Sequence, residues 1–218
     1  SIELAAQGFP VGRRQAASFD SASADFSRFE STRKVFAPDG KPYEEGSVLR
    51  QPDLARTLTA IRDIGDRGFY EGVTAQRIVA EMQRGGGIIS LHDLATYRAI
   101  ERTPVKGSYR GYEIISSALP SGGGTVLLEM LNILERFDLK SKGYASSQMV
   151  HLLAAAAQRS YVDRAEYLGD PDFLKTSPDE LISKMYAKER AHLIDSTRAT
   201  ISSGIRAGVL HGSDSHET

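Results

Sequence analysis

The sequence contains no cysteine among its 218 residues. This absence excludes disulfide bonds, zinc sites built on thiolates and a cysteine nucleophile. It is compatible with an oxidising compartment but does not by itself select one.

The sequence also has no large net charge, because its 27 basic residues nearly balance its 28 acidic residues. Phosphate binding needs a clustered basic excess, so we expect no nucleic acid or other polyanion as a partner. No apolar run approaches the roughly 20 residues of a membrane span. The opening stretch SIELAAQGFPVG lacks a methionine and the charged and then apolar pattern of a signal peptide.

The same opening stretch has the pattern of the middle of an amphipathic helix, with apolar residues at Ile2, Leu4 and Ala5 and a helix-ending glycine at Gly8. We therefore expect a fragment with further sequence upstream, in which residues 1–218 form a single partial domain. A chain of this length with 40% hydrophobic residues suits one good core or most of a larger domain.

Local signals predict a helix-rich α+β fold. Residues 12–46 are mostly small or polar with scattered phenylalanines, which predicts extended surface structure. The stretch TPVKGSYRGYEIISS is rich in β-branched and aromatic residues and predicts two strands joined by a turn. The spacing of apolar residues and the capping residues predict four helices, near residues 52–64, 73–83, 91–97 and 127–134. Two further helices are predicted to begin at Ser146 or Ser147 and after Ser177.

Three motifs invite a functional interpretation, and each has a structural alternative that we favour. LPSGGGTVLLEML could cradle an anion, but it lacks the lysine and spacing of phosphate loops and better fits a tight turn. Asp170 and Asp172 in YLGDPDF suggest a hard cation, yet Pro171 favours a helix-ending turn. Asp163 and Arg164 are adjacent in sequence, so on a helix they point to different sides and pair with other residues, which suggests a structural ion-pair network.

The five histidines show no metal-ligand spacing, and no GxSxG elbow is present. We therefore expect neither a metal nor a cofactor. The polar ending LHGSDSHET is typical of a frayed terminus. Its last residue, Thr218, has a second interpretation, because cutting the bond before a threonine frees an α-amine with a pKa of roughly 7.7 to 8.0 beside the hydroxyl. Nucleophile and base would then share one residue.

Five long stretches resemble the large subunit of γ-glutamyltranspeptidase, in the same order and over nearly the whole chain. They are LRQPDLARTLTAI, GFYEGVTAQRIVAEM, GGGIISLHDLATYRAIERTPVKGSYRGYEI, LPSGGGTVLLEMLNILERFDL and RSYVDRAEYLGDPDF. The resemblance implies part of an αββα N-terminal-nucleophile hydrolase sandwich. It also implies a precursor that cuts itself into two subunits, the second of which begins with the catalytic threonine.

Counting forward through IRAGVLHGSDSHE, the resemblance implies a cut between Glu217 and Thr218, so that Thr218 is the nucleophile or lies beside it. The implied activity is γ-glutamyltransferase or glutathione hydrolase, through a γ-glutamyl-threonine ester that passes to water, an amino acid or a peptide. The implied partner is the small subunit, which would supply the oxyanion hole and most substrate contacts. This chain alone is then expected to be inactive, no substrate-binding residue is visible in it, and a periplasmic or secreted location is implied.

Two alternatives stay open. A related acylase, similar to cephalosporin acylase, would act on a glutaryl group that lacks the α-amino group of glutamate. A non-catalytic scaffold, either a degenerate homologue or a fragment that holds a partner, would instead expose an apolar face.

Overall fold

The computed structural model describes residues 1–174 and 177–211. It divides the chain into two compact units, Ser1–Ala99 and Ile100–Thr218. The prediction that residues 1–218 form a single partial domain stays a prediction. In both units helices predominate over short antiparallel strands, which confirms the helix-rich α+β prediction.

The first unit consists of short helices around one small antiparallel pair of strands. Its strands are β1 (Phe9–Pro10) and β2 (Val48–Leu49). Its helices are α1 (Ile2–Gln7), α2 (Arg13–Ser21), α3 (Ser23–Ser27), α4 (Glu30–Phe36), α5 (Pro52–Ile64), α6 (Arg67–Tyr70), α7 (Gly72–Gly85) and α8 (Leu91–Thr96).

The prediction of extended structure between Gly12 and Gly46 is wrong, because α2, α3 and α4 occupy most of this region. Serine and aspartate disfavour a helix interior through local side-chain hydrogen bonds, so the composition pointed away from helix. Packing of aromatic rings overrides this preference: Phe19, Phe26 and Phe36 have ring centroids 5.5 to 6.0 Å apart.

The predicted helix boundaries in the first unit are otherwise close. Helix α5 begins at Pro52 and ends at Ile64, as expected. The capping box predicted at α8 is present, since Ser90 Oγ accepts from the Asp93 N–H at 3.2 Å and Asp93 Oδ2 accepts from the Ser90 N–H at 2.8 Å.

The second unit is a β-hairpin and a group of longer helices. The hairpin consists of β3 (Val105–Tyr109) and β4 (Tyr112–Ser116), with Val105 opposite Ser116. Arg110 and Gly111 both have positive φ, which matches the twist that a two-residue hairpin turn requires. The helices are α9 (Gly123–Leu134), α10 (Leu139–Lys142), α11 (Ser147–Tyr167) and α12 (Lys184–His192).

Helices α11 and α12 both pack on α9, and their buried apolar side chains form one core. Ser146 caps α11 by accepting from the Met149 N–H. Ser177 also caps, but the element that follows is a 3₁₀ turn, Pro178–Ile182, rather than the expected α-helix. Ser183 then supplies a separate cap for α12, because its hydroxyl accepts from the Tyr186 N–H.

None of the helices in the described ranges combines the length and the apolar character needed to cross a lipid bilayer.

Candidate functional site

A cluster of polar side chains lies buried where α9, α11 and α12 meet. On α9 and α12 the members of this cluster are three or four residues apart, so they share one face of each helix. On α11 the members are residues 159, 160 and 163, which also lie on one face. Each is at most 3% exposed. We call this the buried polar cluster; its members are Thr125, Glu129, Asn132, Arg159, Ser160, Asp163, Tyr186 and Arg190.

The centre of the buried polar cluster is an ion pair between Asp163 and Arg190. Arg190 Nε lies 2.8 Å from Asp163 Oδ2, and Arg190 Nη2 donates to Asp163 Oδ1 at 3.0 Å. Only the second contact has hydrogen-bond geometry, and the approach of Nε to Oδ2 is a close ionic contact. Because both side chains are withdrawn from water, the loss of either partner would leave an uncompensated charge in the interior.

Glu129 adds a second carboxyl group beside Asp163. Burial, then hydrogen bonding with Asp163 and its negative charge, raise the pKa of Glu129 to about 9, while Ser160 and Arg190 act in the opposite direction. Two neighbouring carboxylates in a dry site cannot both ionise easily, so one of them keeps a proton. The surroundings therefore favour the protonated, neutral form of Glu129, while Asp163 contacts the Arg190 guanidinium directly.

Arg159 and Tyr186 complete the electrostatics of the cluster. Burial first, and then the positive charge of Arg190, lower the pKa of the Arg159 guanidinium. This guanidinium donates to the backbone carbonyl oxygens of Ala155, at 3.0 Å, and Leu193. Burial followed by the negative charge of Asp163 raises the pKa of the Tyr186 hydroxyl.

The chain segment Arg206–His211, which we call the anchored segment, is fixed to this cluster at Gly208. The Gly208 N–H donates to Asp163 Oδ1 at 2.8 Å, and the Tyr167 hydroxyl donates to the Gly208 carbonyl oxygen at 2.6 Å. A Cβ atom at Gly208 would overlap the hydroxyl oxygen and the ring of Tyr186. Only glycine allows the backbone to approach the cluster this closely.

Two further contacts hold the ends of the anchored segment. Arg190 Nη1 donates to the Arg206 carbonyl oxygen at 3.1 Å. The His211 N–H donates to the Glu180 carboxylate at 2.9 Å, and His211 Nδ1 lies 3.2 Å from the same oxygen. The segment is thus held at its beginning, its middle and its end.

A cleft of about 670 Å³ runs beside the anchored segment. Arg159, Glu189, Arg190, Arg206 and His211 contribute its charged or ionisable lining, so the cleft carries more basic than acidic groups.

The predicted site residues Glu217 and Thr218 lie outside the described residues, as does His216. The prediction that Asp163 pairs with a residue other than Arg164 is confirmed by its contact with Arg190, whereas Arg164 forms no ion pair within the described residues. The favoured interpretation of YLGDPDF as a turn is also confirmed, because Asp170 Oδ1 accepts from the Asp172 N–H at 3.1 Å at the start of a 3₁₀ turn.

The glycine-rich stretch before α9 is a tight turn, as favoured from the sequence. A Cβ atom at Gly124 would overlap the Ser117 carbonyl oxygen and would lie 2.7 Å from Val105 Cγ2. The glycine therefore lets α9 start against the hairpin. In the ranges 1–174 and 177–211, no group of three or more histidine and acidic side chains is arranged to hold a metal ion.

Of the eight members of the buried polar cluster only Asp163 was predicted from the sequence; Glu129 and Arg190 were missed, as were Tyr167 and Gly208 beside the cluster. A signal was available for Glu129, which is a lone acid within the apolar run TVLLEMLNIL of α9. A charged residue on a helix face that is otherwise buried needs a partner, so this sequence pattern by itself indicates a polar cluster. The sequence around Arg190, Tyr167 and Gly208 is typical of surface residues and gave no such signal.

Comparison with known proteins gives a consistent set of relatives. The family model described as Gamma-glutamyltranspeptidase matches residues 1–218. A protein named Glutathione hydrolase proenzyme from Escherichia coli is 41% identical over 100% of this chain and 38% of its own length. A protein named Acylase ACY 1 proenzyme from a Pseudomonas strain is 38% identical over 97% of this chain and 39% of its own length.

Solved structures agree with these sequence relatives. The γ-glutamyltranspeptidase of Helicobacter pylori matches with a TM-score of 0.91 and 41% identity, over 98% of this chain and 62% of that chain. A cephalosporin acylase from Bacillus halodurans matches with a TM-score of 0.81 and 30% identity, over 89% of this chain and 37% of that chain. The chain thus spans under two fifths of the length of the Escherichia coli relative.

Proposed function

Because this chain belongs to the gamma-glutamyltranspeptidase family, we propose that it is part of a γ-glutamyltransferase or glutathione hydrolase. The observation that carries the proposal is the family match over residues 1–218, together with 41% identity to a glutathione hydrolase proenzyme. Such an enzyme cleaves the amide bond of a γ-glutamyl compound such as glutathione. It transfers the γ-glutamyl group to water, an amino acid or a peptide.

The first proposed step is self-cleavage of a precursor between Glu217 and Thr218. The Thr218 hydroxyl attacks the Glu217 carbonyl carbon, the peptide C–N bond breaks, and the acyl group moves from nitrogen to oxygen. The nitrogen takes up a proton and becomes the α-amine of Thr218. Water then hydrolyses the new ester, which leaves Glu217 with a free carboxylate and Thr218 with a free hydroxyl.

In the proposed mature enzyme, Thr218 is both nucleophile and base. Its free amine accepts the hydroxyl proton as the oxygen attacks the γ-glutamyl carbonyl, and the leaving amine of the substrate departs with that proton. A γ-glutamyl ester remains on Thr218 until water or an acceptor amine attacks it. Covalent catalysis of this kind divides one difficult transfer into two easier steps. Backbone amides of the partner subunit would stabilise the oxyanion.

A small subunit from the same precursor is the proposed partner, and together the two would form the αββα sandwich. The exposed apolar side chains of the hairpin support this, since Tyr112 is 74% and Ile115 is 56% exposed. A two-stranded hairpin is marginal in water by itself and usually belongs to a larger sheet. The word proenzyme in the names of the Escherichia coli and Pseudomonas relatives also supports a two-part product. We propose a periplasmic or secreted location by the same family argument.

A related acylase is the second candidate, favoured by the match to an acylase proenzyme and to a cephalosporin acylase structure. The two candidates differ in whether the acyl group carries an α-amino group. Competition experiments on the processed protein distinguish them. Inhibition by glutamate but not by glutarate supports the γ-glutamyl enzyme, and the reverse supports the acylase.

Intact mass measurement and N-terminal sequencing of the full-length gene product test the proposal. We expect two co-purifying polypeptides, the second of which begins at Thr218, and turnover of a γ-glutamyl anilide. Thr218→Ala should abolish both the cut and the turnover, whereas Thr218→Ser should retain part of each because it keeps a hydroxyl on the same residue. Full processing and turnover in Thr218→Ala would contradict the assignment.

A further inference from the structure

The anchored segment is the last described part of the chain before the proposed cleavage site. Thr218 lies seven positions after His211. Even a fully extended peptide of that length spans only about 25 Å, at roughly 3.3–3.6 Å per residue. The contacts at Gly208 and His211 therefore fix the point from which the chain continues toward Glu217 and Thr218.

The contacts of the anchored segment are specific rather than incidental. The buried Asp163 carboxylate accepts from the Gly208 N–H at 2.8 Å and pairs with the Arg190 guanidinium at 2.8 Å. A buried charge is stable while it keeps its hydrogen-bond donors, and the loss of one donor is costly. Release of Gly208 from the cluster is thus coupled to destabilisation of the ion pair.

The outer contacts restrict the two ends of the same stretch. Tyr167 holds the Gly208 carbonyl oxygen at 2.6 Å, and Glu180 accepts from the His211 N–H at 2.9 Å. Tyr167 belongs to α11 and Glu180 to a 3₁₀ turn, so different elements of the unit define the direction in which the chain leaves. Holding the upstream chain in one arrangement before the reaction lowers the entropic cost of an intramolecular step.

We propose that Asp163, Tyr167 and Glu180 are positioning residues for self-cleavage, which act by fixing Gly208 and His211 upstream of the bond between Glu217 and Thr218. This inference rests on the proposed function. The three side chains act through the anchored segment and take no part in bond making. After the cut, Thr218 no longer belongs to the same chain as the anchored segment, so catalysis by the mature enzyme should not depend on them in the same way.

The test is a time course of processing in the full-length precursor, followed by intact mass. Tyr167→Phe removes one hydrogen bond, and Tyr161→Phe is its matched control because Tyr161 is on the same helix and is 59% exposed. We expect Tyr167→Phe to slow processing by roughly 2- to 10-fold, as the loss of one hydrogen bond predicts, and Tyr161→Phe to process at the wild-type rate.

Glu180→Ala and Glu180→Gln form a second pair. Alanine removes the acceptor for the His211 N–H, whereas glutamine keeps a carbonyl oxygen, so we expect slow processing in the first and near wild-type processing in the second. For the processed fraction of each variant, kcat and KM toward a γ-glutamyl anilide should match the wild-type values within about 2-fold.

Processing of Tyr167→Phe and Glu180→Ala at the wild-type rate would overturn the inference. It would also be overturned if kcat of the processed fraction fell as much as the processing rate, or if Glu180→Gln were as slow as Glu180→Ala, because either result indicates general structural damage. If the wild-type precursor neither cuts itself nor turns over substrate, the proposed function fails first. If the wild-type precursor processes normally and the variants process equally fast, the positioning role is rejected and the proposed function stands.

Discussion

The two compact units differ in that only the second has a fully buried ion pair among the described residues. In the first unit, residues 1–99, the side chains of the ion pairs are at least 51% exposed, and the buried apolar residues are mostly alanines. In the second unit an ion pair with side chains at most 4% exposed lies at the junction of three helices. The sensitivity of this chain to charge mutations therefore depends on burial and not on the number of pairs.

The largest expected effect is the loss of the buried charge pair. Asp163→Ala leaves Arg190 without a counter-charge, and we expect it to lower the free energy of unfolding by about 3–5 kcal/mol. Glu30→Ala, which breaks the exposed pair between Glu30 and Lys34 in the first unit, is the control and should leave the unfolding midpoint unchanged. Urea unfolding of the full-length protein measures both. If Asp163→Ala and Glu30→Ala lowered the free energy of unfolding equally, burial would not explain the difference between the ion pairs of the two units.

The next effect concerns the apolar core. Ile133 is 0% exposed on α9, whereas Ile64 is 59% exposed at the end of α5. Ile133→Ala should cost about 2–5 kcal/mol because it leaves a cavity, and Ile64→Ala should cost well under half of that. Chemical unfolding of the two variants compares the units directly. A similar cost at both positions would mean that Ile64 is covered in the full-length protein.

A pH profile separates the cluster from the exposed pairs of the first unit. The folded-state pKa of Glu129 is raised to about 9, so its contribution to stability is complete below the unfolded pKa and is lost as the pH rises toward 9. Glu129→Gln stays neutral and should gain stability relative to wild type between about pH 5 and 9, by at most about 1.4 kcal/mol per pH unit. Thermal unfolding at several pH values measures this difference. If the stability of the wild type and of Glu129→Gln changed with pH in the same way, Glu129 would be ionised in the folded protein.

The smallest expected effect is one that the two units should share. Ser90 caps α8 in the first unit and Ser146 caps α11 in the second, and each hydroxyl accepts from the N–H three residues later. Ser90→Ala and Ser146→Ala should each cost about 1 kcal/mol. Comparable shifts of the unfolding midpoint would show that local capping is independent of the unit in which it occurs. A much larger cost at Ser146 would indicate that the cap also affects packing around α11.

Much of the local structure could be predicted because its causes are local. Pro52 at the first position of α5, the Ser90 cap of α8 and the hairpin turn at Gly111 depend on residues within a few positions of each other. The error at α2, α3 and α4 has a tertiary cause, since the aromatic packing of Phe19, Phe26 and Phe36 outweighs weak helix propensity.

The candidate site was predicted only in part. Asp163 was identified as a member of an ion-pair network, but its partner Arg190 lies 27 residues away in sequence. No spacing rule links them, because they belong to different helices that come into contact only in the folded unit. Thr218 was singled out from the chemistry of a threonine that follows a cut and from family resemblance. It lies outside the described residues and stays a prediction.

Residue type and order along the chain were enough to predict the helix-rich composition, most caps and turns, the absence of thiol chemistry and the family resemblance. Packing of the helices was needed to bring Asp163, Glu129 and Arg190 into one dry site and to fix Gly208 against it. This division arises because pKa shifts and buried ion pairs depend on distance and on exclusion from water. Both are properties of the packed helices and not of sequence neighbours.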